Sequence, residues 1–206
     1  MPDPVSQRGL TPPPSNAATR GRGSARGRLI SSLVMLAVVA GAVAFYSIRK
    51  SNQLFDLGVD AHVHCTTAGV YPRQTQRVEM EQALGVPFAP MLQPLLDAAG
   101  SGGVVSAFQC PLGGRNYFQV IFKNGEALVS VMLTRRNDQE IFPRALAGRT
   151  VEASGIRLHE SRRQKYSVAA FESGGWLGFV VSALSEDQNG DLAARVAPVV
   201  ARYTGP

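Results

Sequence analysis

From Leu29 to Ile48 no position carries a charge, and Leu33-Val34-Met35-Leu36-Ala37-Val38-Val39-Ala40 is apolar without a break. A helix needs about twenty such residues to cross the hydrocarbon core of a bilayer, so 29–48 predicts a transmembrane helix. Beyond it the apolar positions become intermittent, as in a globular domain. Thr75–Leu84 predicts a short helix with Val78, Ala83 and Leu84 turned inward, ended by Gly85-Val86-Pro87. A second short apolar segment, Pro90–Ala99, carries Met91-Leu92 and Leu95-Leu96 and is interrupted by Pro94. Gly100-Ser101-Gly102-Gly103 then breaks the pattern.

The next segments have strand composition. Val104–Gln109, Asn116–Lys123 and Ala127–Thr134 are rich in β-branched and aromatic residues. The first two are joined through Leu112-Gly113-Gly114. The second and third flank Asn124-Gly125, a dipeptide that tolerates the positive φ of a type I′ hairpin turn. A further hairpin runs from Lys165–Phe171 through Ser173-Gly174-Gly175 to Trp176–Ser182. Leu192, Val196, Val199, Val200 and Tyr203 recur at helical spacing after Asp191, a cap residue, with Pro198 expected to kink the helix. A meander, a hairpin and flanking helices make residues 55–206 an α+β domain with an antiparallel sheet.

Charge changes the picture at the N-terminus. The formal net charge is +6, and residues 1–50 hold seven basic side chains against one acid, so the remaining 14 of each sign cancel. Residues 1–28, with Pro12-Pro13-Pro14 and Arg20-Gly21-Arg22-Gly23, cannot bury enough apolar surface to offset their chain entropy and are expected to be disordered. A basic tail before an apolar helix is a topology signal that places the tail in the cytoplasm and exports the rest. It also suits contact with anionic lipid. Without an aromatic for base stacking, the tail is not expected to bind nucleic acid. The rival reading is a cleaved signal peptide, because Ala42-Val43-Ala44 fits the small-x-small cleavage pattern; both readings export the domain.

Cys65 and Cys110 are the only cysteines, and both fall in the exported part. In an oxidising compartment such a pair predicts a disulfide. Cys-x-x-Cys and Cys-x-x-Cys-His are absent, which argues against a tuned redox motif and excludes that signature of covalent haem attachment. In Asp60-Ala61-His62-Val63-His64-Cys65, imidazole and thiolate would suit copper or zinc. On a strand His62 and His64 would share a face and Cys65 would point away, while on a helix the two His diverge. A metal held there would need a further ligand from Cys110 or His159. Weaker signals are Glu79 with Glu81, read as solvated acids, and Arg162-Arg163 with Lys165, read as a charged loop. His159 beside Glu160 is read as half-exposed, and Trp176 as core. The chain has no Walker loop, dinucleotide fingerprint, Gly-x-Ser-x-Gly elbow or His-Glu-x-x-His helix, so no catalytic residue is assigned.

Read in order, several pieces resemble the extracytoplasmic domain of bacterial membrane-anchored anti-sigma factors. They are Gln82-Ala83-Leu84-Gly85-Val86-Pro87 with Pro90 and Leu92, then Gly114-Arg115-Asn116-Tyr117-Phe118-Gln119-Val120-Ile121-Phe122, then Gly125 leading to Leu128-Val129-Ser130-Val131. The hairpin Tyr166–Leu184 closes the match. The resemblance covers 55–206 and implies a non-catalytic sensory or interaction domain on the outer side of the bacterial inner membrane, with a protein partner in the envelope or membrane. The cytoplasmic zinc-binding anti-sigma domain of that family is missing, since the tail has neither Cys nor His. The alternative is a periplasmic copper- or zinc-binding, or thiol-redox-responsive, protein built on His62, His64 and Cys65.

Overall fold

Three of the strands are buried along nearly their whole length, which happens when a sheet is covered on both faces. In the computed structural model of the chain, β1 (Val104–Leu112), β2 (Arg115–Asn124), β3 (Ala127–Arg135), β5 (Ile156–Arg163), β6 (Tyr166–Ser173) and β7 (Trp176–Ser182) form an antiparallel sheet. Their order is β1-β2-β3-β7-β6-β5, and the three-residue β4 (Arg149–Val151) pairs along the outer side of β5. The structure describes residues 25–67, 72, 74, 76–100, 103–140, 142, 149–151 and 155–205. The tail expected to be disordered lies outside them, apart from residues 25–28, which open a helix.

That helix, α1 (Ala25–Thr67), is the main departure from expectation. The chain divides into two units, 1–43 and 44–206, and the division falls inside α1. The apolar side chains from Leu33 to Ile48 are largely exposed, and the helix is long and apolar enough to cross a membrane. It does not end at 48 as predicted. In the second unit Leu54, Phe55, Gly58, Val59, Ala61, His62, Cys65 and Thr66 are buried, a set spaced by three and four residues. This stripe packs on Phe108, Cys110, Tyr117, Ile121, Met132, Tyr166, Val168, Ala170, Leu177, Phe179 and Val181 of the sheet. Gly58 permits the close approach, because a Cβ there would stand 2.8 Å from the Phe179 ring.

The opposite face is covered by α2 (Arg77–Leu84), a 3-10 turn (Ala89–Met91), α3 (Leu92–Ala99) and α4 (Glu186–Thr204). Residues of alternate parity along each strand serve the two cores, so Val129, Val131 and Leu133 face these helices while Met132 faces α1. In α2 the inward residues are Met80 and Leu84; Val78 is 57% exposed, contrary to expectation. Pro94 does not interrupt α3, because it occupies the first turn, where the missing N–H has no partner to lose. The C-terminal helix starts five residues before Asp191. Ser185 is its N-cap and accepts from the Gln188 N–H, and Gln188 returns the bond to Ser185 N–H. Leu192, Val196, Val199 and Val200 are buried as expected, but Tyr203 is 37% exposed.

The turns explain the remaining differences. Asn124 pairs with Ala127, so the loop is Gly125-Glu126 with positive φ at Gly125 only; that is the pattern of a type II′ rather than a type I′ turn. The expected charged loop at Arg162-Arg163 is instead the end of β5, turned by Gln164 (φ 54°) into β6. Neither β4 nor β5 was expected.

Candidate functional site

The histidine–cysteine cluster falls on the last turns of α1, where successive residues are rotated by about 100°. His62 and Cys65 are therefore on the sheet side, and His64 lies about 200° round from His62. Cys65 Sγ is joined to Cys110 Sγ, with Cα atoms 6.9 Å apart, so the disulfide fastens the C-terminal turn of α1 to β1. Both cysteines are buried. Among the described residues no three His, Cys, Asp or Glu side chains stand together as a ligand set.

His62 is 3% exposed and takes part in a buried polar chain. Its Nδ1 lies 2.8 Å from Ser130 Oγ on β3, and Gln119 Nε2 on β2 donates to the same oxygen at 3.0 Å. The Tyr166 ring meets the imidazole edge-on at 4.8 Å. Burial lowers the His62 pKa to about 4, with Lys165 adding to the shift. A neutral ring fits this chain, because its unprotonated Nδ1 can accept the Ser130 hydroxyl proton while Ser130 accepts from Gln119. A charged ring would have to donate there and displace that proton. The helix main chain is tied locally as well, Thr66 Oγ1 donating to the His62 carbonyl at 2.6 Å.

The other singled-out residues are dispersed. His159 is 5% exposed rather than half-exposed, because β5 places it under Phe142, whose ring stacks on it at 4.5 Å. Arg163 reaches α1, bonding Asn52 and approaching Asp56 at 3.4 Å. Glu79 completes a capping box with Gln76, and Glu81 pairs with Arg77 at 2.6 Å. Trp176 is core, packed edge-on against Phe88 at 5.0 Å and Phe118 at 5.6 Å.

The residues that sequence reasoning missed are arginines at one end of the sheet. Arg115 opens β2, Arg135 closes β3 and Arg136 follows, while Arg135 pairs across to Trp176 at the start of β7. Twenty positions separate Arg115 from Arg135, so no local motif marks them. The hairpin register would have: pairing Phe118 with Leu133 runs the two strands toward Arg115 and Arg136 at the same end. Assigning the turn to Asn124-Gly125 displaces that register. Compared with protein-family models, curated proteins and solved structures, the chain has no match.

Proposed function

We propose that this protein is a non-catalytic sensor or interaction module held at the bacterial inner membrane, with residues 1–28 in the cytoplasm and the sheet domain outside. The observation that carries the reading is the dual character of α1, whose exposed apolar stretch to Ile48 precedes a stripe buried in the domain core. The uneven charge supports the orientation, since the excess of arginine and lysine belongs to the N-terminal side. The disulfide supports an oxidising compartment. The resemblance to the outer part of anti-sigma factors supports a protein partner. A metal- or thiol-responsive role on His62, His64 and Cys65 is the second reading. It requires the Cys65–Cys110 bond to open, and the burial of both sulfurs favours a structural staple instead.

Protease added to spheroplasts carrying the full chain should digest the sheet domain and leave the tail protected. Crosslinking in membranes should then capture a partner that depends on residues 44–206. A domain digested only after the cytosolic side is opened would overturn the orientation. A domain released free of membranes would point to cleavage at Ala44 instead of an anchor.

A further inference from the structure

Where β2 begins, β3 ends and β7 begins, the sheet opens into a cleft of about 500 Å³ whose lining includes Arg115, Phe118, Thr134, Arg135, Arg136 and Trp176. That volume lies within the range of small-molecule sites, about 300–1,000 Å³. Two of the arginines are held by carboxylates: Arg115 donates to Glu140, one bond being 3.0 Å, and Arg136 pairs with Glu172 at 2.6 Å. Arg135 differs. Among the described residues no carboxylate is paired with it; its guanidinium lies over the Trp176 ring, Cζ 4.0 Å from the centroid. The ring system is itself packed edge-on against Phe88 and Phe118. A guanidinium laid on an aromatic face keeps its N–H donors in its own plane, pointing outward as a fork that matches two carboxylate oxygens.

Three guanidinium groups against two paired carboxylates leave one positive charge, which a single anionic group neutralises. Trp176 and Phe118 supply an apolar wall beside it. We propose that this cleft is a binding site for a small organic monocarboxylate, its oxygens accepting from Arg135 and its apolar body resting on the Phe118–Trp176 side. The site belongs to the folded unit 44–206 and stands whether or not the membrane orientation proposed above is right.

Trp176 is the only tryptophan, so the protein's tryptophan emission comes from this one residue on the cleft wall. The full chain in detergent micelles is titrated with phenylacetate at constant ionic strength, following emission and calorimetric heat against a micelle blank. Phenylacetamide serves as the uncharged counterpart, and inorganic phosphate as an anion with no apolar body. Saturable binding of phenylacetate is expected, at least tenfold tighter than of either comparison compound. Arg135→Gln should weaken it at least tenfold, and Arg135→Lys, which keeps the charge but loses the fork, should fall between. Position 135 is exposed to solvent, so both replacements are accommodated, and unchanged thermal melting of either variant identifies a folded protein. Absence of saturable heat and emission change with phenylacetate overturns the proposal. So does phosphate or phenylacetamide binding as tightly, or an Arg135→Gln variant that binds like the parent.

Discussion

His62 shows how one buried group ties the fold to pH. Its folded pKa of about 4 lies below the 6.5 of an exposed imidazole, and burial is the first cause. The unfolded chain therefore binds a proton between these values that the folded chain refuses, and stability rises with pH across that window. The contribution is fully present above pH 6.5, falls as the pH drops, and levels off below about 4. Holding one proton more in the unfolded chain costs the fold roughly 1.4 kcal/mol for each pH unit crossed, so the contribution of His62 falls by about 3 kcal/mol between pH 7 and pH 4. Urea unfolding at the two pH values should show a loss of that order, and His62→Gln should flatten the part due to this residue. An unaltered pH profile in the variant would assign the acid sensitivity elsewhere. The environment was not legible in the sequence, because it depends on Ser130 and Gln119 arriving from two strands.

At the scale of the element, α1 carries the chain's largest misreading. Its buried stripe includes Gly58, His62 and Thr66, which no hydropathy pattern counts as core. Gly58 is there because the Phe179 ring leaves no room for a side chain, and His62 because β3 and β2 satisfy it. The apolar positions Phe55, Leu57, Val59, Ala61, Val63 and Cys65 alternate with a period of two, so Asp60–Cys65 is open to strand or helix on sequence alone. The hairpin β6–β7, by contrast, is readable almost residue for residue. Gly174 and Gly175 both take positive φ, and strand composition flanks them directly. The cysteine pairing is readable from the count of two and from the export that the N-terminal pattern predicts, although not what it joins. Closing a 45-residue separation stabilises the fold by about 4 kcal/mol on a chain-entropy basis. Cys110→Ser should lower the melting temperature by roughly 10 °C, at about 2–4 °C per kcal/mol for a unit of this size. A change of only a degree or two would mean that the bridge constrains little.

For the whole molecule, the consequence is where the domain begins. Hydropathy separates a membrane segment from a later sheet, but one face of the core is built from α1. Leu54, Phe55 and Val59 alone bury side chains worth roughly 1.5–3 kcal/mol each, against a total stability of about 5–15 kcal/mol for such a unit. A chain starting at residue 44 should fold cooperatively and show near-ultraviolet circular dichroism, whereas one starting at residue 68 should not. Equal behaviour of the two would mean that the sheet stands without its helix. The general class, α+β with an antiparallel sheet, was legible from strand composition and turn residues. The apolar runs of β3, β6 and β7 also carry the mark of two-sided burial, but they do not say which helices cover each face.

The placement of the disulfide decides how the unit bears load. Tension on α1 from its N-terminal side meets the Arg163 contacts at Asn52 and Asp56, then the Gly58 notch against Phe179, and last the covalent bond from Cys65 to β1. The helix is gripped along its flank and riveted at its far end, so sliding it would require shearing the entire contact before a bond that does not slip. A pull there should shift helix and sheet together as one body rather than peel strand from strand.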